Sequence, residues 1–142
     1  MSTKTNTGSD AGSGERRDRA DVGAYGEDVA AAFLRAEGFK ILYRNYRAPT
    51  GGEADLVARH VDVLVFLEVK TRVGDPDQIR PSDAVTPLKE RLVSRGAASW
   101  LGMLDHPVPF RFDIVEVVLQ DGRPPFVHRC ENAFQMPEDY YE

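Results

Sequence analysis

Two stretches of alternating residues, separated by only two positions, constrain this chain more than any other feature. Residues 53–60 read Glu-Ala-Asp-Leu-Val-Ala-Arg-His, and residues 63–72 read Val-Leu-Val-Phe-Leu-Glu-Val-Lys-Thr-Arg. β-Branched and other apolar residues recur in both at period 2, the pattern of strands. A turn centred on Val61-Asp62 joins them as a hairpin in which position 60 faces 63, and each step outward follows. Asp55 then faces Glu68, and Glu53 faces Lys70. Side chains alternate sides along a strand, so these four share one face. The other face carries Ala54, Leu56 and Ala58 against Val65, Leu67 and Val69, and it is dry. A one-residue slip would send Asp55 to that dry face, where burying an acid is costly.

Two carboxylates placed opposite one another repel. At about 4 Å and an effective dielectric near 20, the repulsion is on the order of 4 kcal/mol. A cation must offset it, and Lys70, one pair along, does so only in part. A divalent ion such as Mg2+ or Mn2+ is the economical candidate, because it takes carboxylate oxygens and keeps waters that a phosphate can displace. The competing reading is an ion-pair ladder of Asp55, Glu68, Lys70 and Arg72 on a solvated sheet face.

A chain of 142 residues has room for one domain with a single core. Its 42% hydrophobic and 29% charged residues are ordinary for a soluble globular protein. No apolar run reaches membrane-spanning length and no hydrophobic signal core opens the chain, so no membrane partner is expected. A single cysteine, Cys130, rules out an internal disulfide and suits a reducing, cytoplasmic setting. No Cys/His cluster has zinc spacing. The net charge of −5 counts against a nucleic-acid partner. Its distribution softens that objection: residues 21–130 hold 14 basic and 16 acidic groups, so the body is near neutral.

Residues 1–20 carry too few apolar side chains to bury, and a disordered tail is expected there. Residues 131–142 read as an acidic C-terminal tail, which leaves 21–130 as the folded domain. Asp21 is a candidate N-cap for a helix over 21–37, with Val29, Ala30, Phe33 and Leu34 apolar and Gly38 as its left-handed stop. A strand at 39–46 follows, then a turn at Pro49, Thr50, Gly51 and Gly52. After the hairpin comes a mobile loop at 73–82. Thr86 as N-cap with Pro87 behind it opens a second helix, whose core stripe is Val93, Ala97, Trp100, Leu101 and Leu104. A strand at 110–119 and a short last one at 126–130 complete the chain. The result is an α/β fold, α-β-β-β-α-β plus that last strand, with a central mixed sheet flanked by helices.

Several of these residues also fit a family pattern. They are Gly26-Glu27, Gly38-Phe39, Arg44-Asn45-Tyr46, Gly52-Glu53-Ala54-Asp55-Leu56, Val65 through Arg72, Pro87, Lys89 and Arg111-Phe112-Asp113. Together they resemble the YraN-type family of small bacterial proteins. That family is similar in turn to the restriction-endonuclease-like fold and, within it, to archaeal-type Holliday junction resolvases. The resemblance spans about residues 22–120 and implies a PD-(D/E)xK nuclease core. Asp55 matches its first acid, Glu68 its second and Lys70 its lysine, while Glu27 matches the helix glutamate of resolvase-like members. Ala54 departs from the usual larger aliphatic, which on the dry face is a packing change.

Those residues suit phosphodiester hydrolysis. A metal on Asp55 and Glu68, with Glu27 as a further ligand, would act as Lewis acid, and Lys70 would donate to a phosphate oxygen or the attacking water. The alternative for Glu27 is an exposed first-turn carboxylate favoured by the helix dipole. Glu53 is expected to orient Lys70, and Arg72 to clamp a phosphate or close an ion pair. Lys89 and Arg95 read as a solvated helix face, Asp113 as an anchor for a neighbouring loop or basic residue, and the three histidines receive no role. The expectation is a metal-dependent nuclease acting on DNA, including branched or damaged forms. Its rival is a non-catalytic nucleic-acid- or protein-binding module on the same scaffold; a third reading is an RNA nuclease. A homodimer would serve a two-fold symmetric substrate.

Overall fold

Period-2 alternation through residues 39–73 and 110–134 builds one five-stranded sheet. The structure is a computed structural model and describes residues 11–78 and 85–140. β1 (Phe39–Arg47), β2 (Glu53–His60), β3 (Val63–Val73), β4 (Phe110–Gln120) and β5 (Arg123–Phe134) lie side by side in chain order. β3 and β4 are parallel, and the other pairs are antiparallel. A parallel pair needs a crossover, and α2 (Pro87–Gly102) supplies it, while α1 (Ala11–Ala36) precedes the sheet. This order, α-β-β-β-α-β with one added strand, is the expected α/β fold and is compatible with a restriction-endonuclease-like core.

The hairpin takes the predicted register, from His60↔Val63 to Leu56↔Leu67. Val61 at the turn adopts a left-handed conformation (φ 58°), as a two-residue hairpin connection requires. Leu56, Ala58, Val65 and Leu67 pack with Ala30 and Leu34 of α1, as the dry face predicts. The opposite face is dry as well over most of its length, because α2 covers it: Val57, Leu64 and Phe66 are buried with Val93 and Ala97. Ala54 belongs to this second cluster rather than to the face of Leu56. Opposite it on β1, next to Tyr46, Asn45 has φ 54°, while the register shift of the β1–β2 pair lies further along, between Ile41 and Tyr43.

Both ends of the folded region differ from expectation. α1 begins at Ala11, so Asp21 sits inside the helix and caps nothing. A polar composition argues only that residues 11–20 bury little; Glu15, Arg16, Arg17, Arg19 and Ala20 are all good helix formers. The rest of the expected tail, residues 1–10, lies outside the described residues, as do residues 79–84 of the loop after β3. At the other end β5 runs to Phe134, where 126–130 and then a tail were expected. Phe134 stacks on Phe112 with ring centroids 4.7 Å apart, and Met136 is buried. Two apolar side chains outweigh the acidic character of that segment. In α2 the Thr86 cap and Pro87 start are as predicted, but the helix ends at Gly102 and leaves Leu104 exposed. Among the described residues, no helix is long and apolar enough to cross a membrane.

Candidate functional site

Two close backbone approaches position the site. α1 touches β3 at Gly26, where any Cβ would overlap the Thr71 side chain. A side-chain-free residue there lets the helix lie against the strand and brings the next residue, Glu27, to its end. α2 touches the start of β2 where Gly52 meets Gly96: a Cβ on Gly96 would stand 2.9 Å from the Glu53 nitrogen, and one on Gly52 2.5 Å from the Gly96 nitrogen. Gly52 also has φ +110°, which favours glycine on its own account. This second contact sets the first turn of α2 over the carboxylates.

A cavity of about 340 Å3 lies between these contacts, lined by Glu27, Asp55, Glu68, Lys70, Thr86 and Lys89. Asp55 and Glu68 meet at the step after the last hairpin pair, as the register requires. The Val69 backbone N–H donates to Asp55 Oδ2 at 2.8 Å and fixes that carboxylate. Glu68 is only 3% exposed, and neither of its oxygens has a hydrogen-bond donor among the described residues. Burial, then the nearby carboxylate of Asp55, push the Glu68 carboxyl up to about 9. Glu27 is also raised, by burial first and then by Asp55, with Arg44 and Asn45 opposing.

The main cation of this pocket is one the sequence reading placed on a solvated face. Lys89 Nζ donates to Glu53 Oε2 at 2.7 Å and stands 3.5 Å from Glu68 Oε1. Burial works against its charge, but the hydrogen bond to Glu53 and the charges of Glu68, Glu53 and Asp55 outweigh burial and raise its pKa. The same hydrogen bond holds Glu53 below the usual carboxylate range, helped by Arg47 at 3.3 Å. Lys89 and a pKa near 9 for Glu68 pull in opposite directions. Burial beside a second carboxylate is the larger effect, so in the absence of a metal the Glu68 carboxyl keeps its proton at neutral pH and Lys89 serves mainly Glu53.

The structure therefore brings Asp55, Glu68, Lys70 and Glu27 together around one cavity. It corrects Glu53, which pairs with Lys89 and Arg47 rather than with Lys70, because α2 comes down on β2 at that point. Arg72 lines a neighbouring groove instead of the carboxylate cavity. Asp113 is the expected anchor: fully buried, it accepts from Arg111 Nε (2.9 Å), Arg129 Nη1 (3.1 Å) and the Asn132 amide (2.9 Å). The sequence signal for Lys89 was the Thr86-Pro87 helix start, which puts Lys89 in the first turn. Nothing in the pattern said what that turn would face.

Asp55 and Glu68 supply hard oxygen donors of the kind Mg2+ and Mn2+ take, and the two undonated oxygens of Glu68 fit such an ion. Among the described residues, no three His, Cys, Asp or Glu side chains converge as a ligand set. The protein's share would be two carboxylates, with water completing the shell.

The pattern of the Uncharacterised protein family UPF0102 matches residues 26–117, which contain every residue of the cavity. A UPF0102 protein of Pelobacter propionicus is 41% identical over 124 residues, covering 85% of this chain and 87% of its own length. One from Geobacter sulfurreducens is 42% identical over 118 residues (81% and 89%). Another from Nocardia farcinica is 40% identical over 118 residues (82% and 91%).

Proposed function

We propose, from the premise that this chain belongs to the Uncharacterised protein family UPF0102, that it is a divalent-metal-dependent nuclease hydrolysing DNA phosphodiester bonds, branched or damaged forms included. One observation carries this reading. Glu68, buried against Asp55 with no donor to either oxygen among the described residues, is a destabilised arrangement that a divalent cation would relieve.

Asp55 and Glu68 would hold Mg2+ or Mn2+, with Glu27 near enough to position a water. Bound there, the ion would supply Lewis acidity and lower the pKa of a water. The chain's own residues do the rest. The Val69 amide locks Asp55 in place. Lys70 is exposed and, among the described residues, has no acidic partner, so its ammonium is available to a phosphate oxygen. Lys89, on the cavity lining and held by Glu53, limits the negative charge a substrate phosphate meets.

The test is cleavage of linear, nicked, flapped and four-way DNA with Mg2+ and with Mn2+. At least one substrate should be cut, and Asp55→Asn and Lys70→Ala should each abolish cutting. Failure on all substrates with both metals overturns the reading. The net charge of −5 favours a second one, a non-catalytic binding module on this scaffold. A melting temperature that Mn2+ leaves unchanged, together with intact DNA, would support it.

A further inference from the structure

β2 stops pairing before β3 does. Their ladder ends at Leu56↔Leu67, whereas β3 continues to Val73 with β4 beside it. Among the described residues, β3 therefore has one open edge beyond Glu68. Backbone amides along a strand point alternately to its two sides. That of Val69 points to the open side, where Asp55 Oδ2 accepts it. That of Gly74 points the other way, to Leu119 O at 3.1 Å. By this alternation the Thr71 and Val73 amides face the open side.

There α1 forms one wall of a groove of about 490 Å3, lined by Val22 and Gly23 on the helix and by Lys70, Thr71 and Arg72 on the strand. The groove shares Glu27, Val69 and Lys70 with the carboxylate cavity, so the two are continuous. Its cations are uncommitted. Among the described residues, neither Lys70 nor Arg72 has an acidic partner within ion-pair distance, and Arg72 Nε is buried without an acceptor. An occupant must offer acceptors to the edge amides and negative charge to Lys70 and Arg72. A phosphodiester strand does both, whereas a neutral peptide strand satisfies only the backbone edge.

We infer that the groove between α1 and the open edge of β3 is the track of a nucleic-acid strand beside the cleavage point, with Arg72 clamping the phosphate next to the one Lys70 meets. This rests on the nuclease reading above for its direction, since the track leads out of the carboxylate cavity. Arg72 can pair with a phosphate in a two-pronged geometry, which a lysine cannot reproduce.

The test measures binding without cutting, in protein carrying Asp55→Asn, where the amide oxygen still accepts from Val69. A fluorescein-labelled single-stranded DNA of about 15 nucleotides is titrated by anisotropy at several salt concentrations. Adding Arg72→Gln should weaken binding about tenfold and reduce the salt slope by about 0.7. Gly23→Asp provides a second variant that leaves the sheet untouched, because a Cβ there meets nothing within 4 Å. It should weaken binding too, by placing an anion in the groove. Unchanged affinity in both variants overturns the inference, as does absence of binding to the Asp55→Asn protein. The two readings fail separately. Wild-type protein that never cuts but binds through Arg72 keeps the groove and loses the nuclease; cutting with Arg72-independent affinity does the reverse.

Discussion

Two lysines border the carboxylates, and their surroundings assign them different work. Lys89 is tied to Glu53 and close to Glu68, while Lys70 is exposed and, among the described residues, without an acidic partner. Lys89→Met should therefore lower stability by about 1–2 kcal/mol, since it leaves Glu53 with Arg47 alone and Glu68 without its cation. Lys70→Met should stay within about 0.5 kcal/mol of wild type yet stop cleavage. Urea denaturation beside a nuclease assay checks both, and equal stability losses would contradict this division. Glu68 makes a separate, pH-dependent prediction. Its folded pKa of about 9 lies above the ordinary value of 4.5, so the folded state holds the proton that the unfolded state releases. Stability from this group is full below pH 4.5 and is lost as pH rises towards 9, by an amount on the order of a few kcal/mol without metal. Glu68→Gln lacks the effect. The melting temperature of wild type minus that of the variant should fall steadily across the window, and parallel curves would refute the shift. Saturating Mn2+ should reverse the fall, raising the wild-type melting temperature more at pH 8 than at pH 5 and leaving Glu68→Gln unmoved.

At the scale of elements, glycines decide where helices meet strands. Gly26→Ala in an open helix would stabilise by about 1 kcal/mol. Here the added methyl overlaps Thr71, so a loss of about 1–3 kcal/mol is expected instead. Because the obstruction is that side chain, Thr71→Gly in the same protein should recover part of the loss, and a thermodynamic double-mutant cycle would show the coupling. Purely additive effects would mean that α1 does not depend on this contact. The same contacts explain what was legible in the sequence. The Asp55–Glu68 pairing could be read because period-2 patterning and a two-residue turn leave one register that keeps acids off the dry face. Thr86 and Pro87 announced α2 through local chemistry that needs no tertiary partner. Lys89 stayed hidden because its site role depends on Gly52 meeting Gly96, two residues far apart in the chain whose proximity no periodicity encodes. The role of Glu53 was misread for the same reason. The start of α1 was misplaced because polar composition reports on burial and not on helix formation.

The whole molecule is closed by a segment that its composition assigns to a tail. Asp113, fully buried in β4, needs three donors, and one of them is the Asn132 amide beyond Cys130. Asn132 adopts φ 53°, a turn in the strand that aims this amide inward where the β4–β5 register shifts. Two residues on, Phe134 stacks on Phe112, and Met136 fills the cluster that also contains Phe66, Val93 and Ala97 on the α2 side. The C-terminal strand thus completes the core on which α2 rests, and α2 carries Lys89 to the carboxylates. A chain ending at Cys130 would lose the Asn132 donor and both apolar side chains while Asp113 keeps Arg111 and Arg129, for a combined loss of roughly 4–7 kcal/mol from the cavity and the missing amide hydrogen bond. That is comparable to the whole stability of an ordinary domain of this size, about 5–15 kcal/mol. Such a chain should show a broad, weakly cooperative melt and reduced Mn2+ stabilisation, whereas one ending at Tyr140 should melt like the full protein. If the shorter chain melts at the wild-type temperature, β5 beyond Cys130 is an accessory and α2 is held in place by the sheet alone.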